Sequence, residues 1–266
     1  MNKLENQMVS ILSRMRDEFY LEGVKGEFEA EGARLEELLR LKEIATKAGV
    51  GMTVKIGGCE AITDMRMARS VGATEIVAPM IESAFAAQKY LKAAKMVFSE
   101  SELEELGLFI NVETVDGVRN FDAICSLADG NALAGLDIGR VDMSGSMGLP
   151  PAESSGTQVF DACLSICKKW KATFPKKKCI IGGFLNLDTI RFLEQLPAEF
   201  EVGSESKKVI FGSGAVREGK LRAAFSSAIE FESLWYQNCM SEYQQLSGKN
   251  WSYFEALPNY QAQLAK

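Results

Sequence analysis

The sequence predicts an α/β chain closed into a (β/α)8 TIM-type barrel, with an N-terminal helix and a C-terminal helical, aromatic-rich extension. Three observations carry this. Short apolar runs recur along the 266 residues, each followed by a segment with helical spacing. Acidic, basic or glycine residues stand at nearly every run's carboxyl end, where such barrels carry their chemistry. No GxGxxG follows the first run, although an open dinucleotide-binding sheet would want one there.

Leu4, Met8, Ile11, Leu12, Met15 and Phe19 mark a helix within residues 1–22. Val24–Glu29 reads as a strand before a helix striped by Leu35, Leu38, Leu39 and Ile44. Thr53–Ile56, Glu75–Ala78, Phe109–Val112, Ala134–Ile138, Cys179–Ile181 and Val209–Phe211 repeat the pattern, giving seven βα-type units. Such alternation argues for a mainly parallel sheet covered on both faces. The eighth strand is expected near Phe200–Val202, unless the N-terminal helix stands in for a first strand. No composition shift marks a boundary, so one domain is expected: the helix at 1–22, the barrel at 23–234 and the extension at 235–266. That extension is either a last helix on the barrel or an arm docking on a neighbouring subunit.

A net charge of −6 argues against a nucleic-acid partner, whose phosphates call for a basic face. Lys176-Lys177-Lys178 reads as a solvated turn. No apolar stretch is long enough for a membrane span, and no secretory signal is evident. Six cysteines without CxxC pairs suggest reduced thiols in a cytoplasmic protein. The chain has no histidine, which removes the commonest zinc ligand and general base. Chemistry is left to carboxylates, lysine, tyrosine, cysteine or a metal-bound water.

Glu113 closes the run "LFINVET", and Asp142 follows the next run in "AGLDIGRVDMSGSMG". Consecutive parallel strands are neighbours, so both carboxylates are expected in one barrel mouth. Two carboxylates with room for water suit Mg²⁺ or Mn²⁺, and the small residues around Asp142 keep that face open. The alternative is a helix-capping Asp142 and a salt-bridged Glu113. Glu29 and Glu31 share side-chain parity on a strand, and Lys55 stands within "TVKIGG", which closes on Gly57 and Gly58. Glycine-rich "IGGF" and "FGSGAV" offer Gly183, Ser213 and Gly214 as a phosphate cradle, or only permit tight turns.

"INVETVDGVRNFDAICSL" followed by "LAGLDIGRVDMSGSMGL" resembles the metal-binding half of the HpcH/HpaI aldolase and citrate lyase family, and "EIVAPMIES" its preceding strand. The resemblance implies that Glu113 and Asp142 hold a divalent metal. It implies that Gly139, Arg140 and Val141 line a carboxylate pocket, with the strand-end residues Gly57, Gly58, Pro79 and Met80 nearby. It also implies a homo-oligomer, trimer or hexamer. Two departures stand out. "GEFEAEGAR" places Gly32 where the family carries a histidine base, and Lys55 takes the place of its arginine clamp. Glu29, Glu31 and Lys55 are then the expected catalytic residues.

The expected function is a metal-dependent carbon–carbon lyase or aldolase acting on a small-molecule carboxylate, a 2-oxo acid above all. The alternatives are a barrel that binds an oxo acid as a sensor or assembly subunit, and a phosphoenolpyruvate-type condensing enzyme.

Overall fold

The computed structural model describes residues 1–127 and 129–264, with side chains omitted at 246, 250, 252–254, 256 and 258–264. Residues 265 and 266 of the expected extension lie outside the described residues. In chain order the elements are α1 (Lys3–Phe19), β1 (Leu21–Glu27), α2 (Leu35–Ala48), β2 (Gly51–Lys55), α3 (Ile62–Val71), β3 (Glu75–Ala78), α4 (Ala84–Val97) and α5 (Glu100–Glu105). Then come β4 (Gly107–Asn111), α6 (Val115–Arg119), α7 (Phe121–Cys125), β5 (Gly135–Gly139), α8 (Arg140–Ser146), α9 (Thr157–Thr173) and β6 (Lys178–Gly182). The last are α10 (Leu187–Glu194), β7 (Val202–Glu205), β8 (Val209–Phe211), α11 (Ser213–Arg217) and α12 (Leu221–Leu264).

The eight strands close into a barrel of the TIM type, in sequence order. β1 through β7 are parallel, but β8 runs antiparallel to both β7 and β1. This corrects the reading of Val209–Phe211 as the start of another βα unit. Only residues 206–208 join β7 to β8, and a parallel crossover needs about a dozen residues. The end of β8 therefore lies at the amino-terminal mouth, where the Gly212 N–H donates to the Tyr20 carbonyl at 2.9 Å.

No helix separates β7 from β8, so the helical shell is completed by the chain's two ends. α1 packs between α12 and α2. Asn2 starts α1 with a capping box to Glu5, and its side-chain amide donates to Asn238 on α12 at 2.6 Å. Glu5 is fully buried and paired with Arg40 on α2. α12 runs through the expected boundary at residue 235 without a break. No described helix is long and apolar enough to cross a membrane.

Strand alternation divides the barrel's residues between two environments. Val24, Met52, Val54, Ile76, Leu136, Ile138 and Val209 face outward into the layer under the helices. Inside, Val77, Phe109, Ile180 and Ile210 form a small apolar layer with Ala134 packed against it. Below it Lys178 pairs with Glu22 and Glu75 at 2.8 and 2.9 Å. Above it, toward the carboxyl ends of the parallel strands, the interior is charged.

Candidate active site

Position along each strand decides what reaches the upper mouth. β1 and β2 pair Glu27 with Lys55, β4 and β5 pair Asn111 with Asp137, and β6 and β7 pair Gly182 with Glu205. All six positions face inward; five are the last residues of their strands, and Asp137 stands two residues before the end of β5. A cavity of about 270 Å³ opens above them, lined among others by Glu29, Lys55, Glu113 and Asp142. The structure thus brings together the four residues on which the sequence reading rests most.

Glu113 is 1% exposed and held from three sides. Asn111 Nδ2 donates to Oε2 at 2.6 Å, the Met80 N–H donates to Oε1 at 3.1 Å, and Lys55 Nζ lies 3.3 Å from Oε2. Met80 reaches that position with φ 51°, a strained value for a non-glycine residue, which persists where surrounding contacts fix it. Lys55 also pairs with Glu29 at 3.3 Å, so one ammonium bridges a buried and a half-buried carboxylate. Burial works against the charge of Lys55, but Glu113 and Glu29 hold its proton more tightly than usual, with Lys25 opposing them.

Burial also pushes the Glu113 carboxyl above the ordinary carboxylate value; Lys55 pulls it back and the charge of Asp142 adds to the rise. Asp142 sits on α8, exposed, with no hydrogen bond or ion pair among the described residues. Two hard oxygen donors that repel each other across an open mouth fit Mg²⁺ or Mn²⁺. No group of three or more Asp, Glu or Cys with metal-holding geometry occurs among the described residues. A proton on Glu113 competes with such a cation. Mn²⁺ held through Glu113 would therefore bind more weakly as pH falls, starting above 4.5, the ordinary glutamate value, as a calorimetric titration series would show.

Beneath the cavity, Lys25 lies between Glu27 at 2.8 Å and Glu205. Burial disfavours its charge, yet Glu205 and Glu27 outweigh that and raise it well above the usual lysine value. Lys25, Glu205 and Asp137 are absent from the sequence reading. Each is an inward position between apolar or small neighbours, and the signal is that alternation itself.

The shared strand parity expected of Glu29 and Glu31 is corrected. β1 ends at Glu27 and the backbone bends, so strand parity lapses. Glu29 and Ala30 line the cavity, whereas Glu31 turns away to Lys208 and accepts a 3.1 Å hydrogen bond from Tyr236. Gly32, at φ 57°, is also off the cavity, whose lining at this point is Glu29 and Ala30. Gly57 donates its N–H to Asp64 at 2.7 Å, and neither it, Gly58 nor Pro79 lines the cavity. Glu60 pairs with Lys89 at 2.7 Å.

Gly139, Arg140, Val141 and Gly183 do line it. Arg140 is fully buried, and its guanidinium donates to the Gly182 carbonyl, the Ser155 hydroxyl and the Thr189 hydroxyl at 2.9, 2.8 and 2.9 Å. Its bonds tie β6, α10 and the single turn Pro151–Ser155 together. Burial pushes Arg140 down to about 10, still charged at neutral pH. The expected joint cradle of Gly183, Ser213 and Gly214 does not form. Reversal of β8 carries Ser213 and Gly214 to the opposite mouth, and Gly214 lets the Tyr20 ring approach, since a Cβ there would meet its Cε1 at 2.6 Å.

The fold and mouth define a barrel with an acidic, lysine-bridged site at its carboxyl face. The family model for HpcH/HpaI aldolase/citrate lyase matches residues 34–178, and the chain belongs to that family. That span contains Lys55, Glu113 and Asp142. Among solved structures the chain resembles an HpcH/HpaI aldolase from Desulfitobacterium hafniense DCB-2, with 12% identity, TM-score 0.58, and coverage of 75% of this chain and 82% of that one. It also resembles an HpcH/HpaI aldolase/citrate lyase family protein from Burkholderia cenocepacia J2315, with 14% identity, TM-score 0.57, and coverage of 86% and 90%. The citrate synthase SbnG matches at 17% identity and TM-score 0.56, over 85% and 89%. At these identities the likeness shows the fold. No match was found among curated proteins.

Proposed function

We propose that this chain is a divalent-metal-dependent carbon–carbon lyase or aldolase acting on a 2-oxo acid or related carboxylate through an enolate. The supporting observation is the convergence of Glu113, Asp142, Lys55 and Glu29 on one cavity. Mg²⁺ or Mn²⁺, held by Glu113 and Asp142, would supply Lewis-acid polarisation of the oxo acid. The chain's own residues do the rest. Lys55, itself buried, places a fixed positive charge where enolate charge develops. Glu29, at the open end of the same ammonium, takes the hydroxyl proton as the carbon–carbon bond breaks and an aldehyde leaves. It then returns that proton to the enolate carbon, giving the 2-oxo acid. Gly139 leaves room for Glu113, because a Cβ there would stand 3.0 Å from the Glu113 Cβ.

In the presence of Mn²⁺ the protein is expected to bind oxalate, and Asp142→Ala is expected to weaken that binding at least about tenfold, the scale of lost metal-site support. Unchanged affinity in this variant would sink the assignment. A second reading, oxo-acid binding without turnover, draws on the chain's lack of histidine, with Gly32 and Lys55 where the resemblance puts the family's base and clamp. Exchange of the pyruvate methyl protons for deuterium, followed by NMR, separates the two.

Family membership also supports a homo-oligomer, trimer or hexamer. Met240, Trp251 and Leu257 on α12 are exposed apolar side chains for such contacts. Sedimentation equilibrium is expected to give three or six times 29.2 kDa.

A further inference from the structure

Asp137 lies in the middle of β5, 1% exposed, and neither carboxylate oxygen accepts a hydrogen bond from a described residue. Its inward-facing neighbours on the adjacent strands are Asn111 on β4 and Ile180 on β6. Asn111 is likewise 1% exposed, and its Oδ1 is also without a donor. Two buried acceptor groups therefore stand side by side across a strand spacing of about 4.8 Å, facing no donor between them.

The cations of the same layer are engaged elsewhere. Lys25 on β1 pairs with Glu27 and with Glu205 on β7, and Lys55 on β2 pairs with Glu29 and with Glu113, two residues past β4. An ionised Asp137 would add another buried negative charge to a layer already richer in carboxylates than in ammoniums. Leaving a charge unpaired in such a place is costly, and the group neutralises instead. A proton on Asp137 removes the charge and creates the donor that Asn111 Oδ1 lacks.

We propose that Asp137 is a neutral carboxylic acid that donates to Asn111 Oδ1 and so fixes the amide that holds Glu113, making Asp137 a positioning residue for the active site. The consequence runs along one chain of atoms. The amide oxygen of Asn111 is held by the acid, so its nitrogen faces Glu113 Oε2, where it sits at 2.6 Å. With Asn111 free to flip, its oxygen would oppose the carboxylate instead. Burial and then the charge of Glu205 drive the Asp137 carboxyl far above its ordinary value against the pull of Lys25 and Lys55, as this arrangement requires.

The proposal rests on Glu113 being a metal ligand, and its test separates the two ideas. In protein labelled with carboxyl-¹³C aspartate, the resonance lost in Asp137→Asn belongs to Asp137. It is expected at the position of a protonated acid throughout pH 5–8; an ionised resonance at pH 7 overturns the proposal. Mn²⁺-dependent oxalate binding is the second readout. Asp137→Asn keeps a neutral donor and is expected to stay within about twofold of the parent protein, while Asp137→Leu fills the space without a donor and weakens binding about tenfold. Equal affinity in Asp137→Leu and the parent protein also overturns it. If the parent protein itself binds no oxalate, the metal-site reading fails, and the carboxyl resonance still decides the state of Asp137.

Discussion

Replacing Lys55 with methionine is expected to lower turnover of the oxo acid by about 10²–10³-fold, the usual effect of removing one preorganised charge from a developing oxyanion. Methionine matches the stem of lysine, so the change isolates the ammonium. The loss should fall on kcat more than on KM, because Lys55 is already neutralised by Glu29 and Glu113 before substrate arrives. Its full charge is felt only when negative charge grows in the cavity. Arginine at this position is expected to recover part of the rate, since it restores a cation of different reach. Removing one partner of a buried pair also costs stability, by about 3–5 kcal/mol, so denaturant unfolding must accompany the kinetics. A folded Lys55→Met variant with turnover within tenfold of the parent protein would reduce Lys55 to an internal ion-pair partner.

That prediction uses residues that were legible from the sequence. Lys55, Glu113 and Asp142 stand at the ends of apolar runs, and parallel strand order alone places them in one mouth. The barrel was legible for the same reason, because the apolar runs alternate with helical segments. Reversal of β8 was not, since Val209–Phe211 has the composition of any other strand here. The clue lay in distance along the chain: three residues between β7 and β8 leave no room for a crossover helix. The buried ring of Lys25, Asp137 and Glu205 was hidden by a related effect. A strand such as "GLDIG" looks like a core strand with one blemish, and only closure of the barrel turns its second face into an interior that can hold charge. Glu31 was misread because strand parity was carried past the point where the strand bends.

Gly183→Ala is expected to destabilise the fold by about 2–5 kcal/mol, combining backbone strain with a forced contact. Gly183 sits at φ 151°, outside the range an alanine adopts comfortably. An alanine Cβ would also stand 2.8 Å from Arg140 Cζ and 3.1 Å from its Nε. The guanidinium has nowhere to retreat, because its nitrogens are fixed by Gly182, Ser155 and Thr189, and its face rests on the Phe192 ring with 4.7 Å to the centroid. The steric part should vanish once the guanidinium is removed. Gly183→Ala in an Arg140→Met background should thus cost less than in the parent protein, by about 1–3 kcal/mol of coupling. Phosphate recognition would behave differently, leaving stability almost unchanged and weakening a phosphorylated ligand instead. Denaturant midpoints for the four proteins of the cycle decide between these outcomes, and additive losses would show that Gly183 is glycine for its backbone alone.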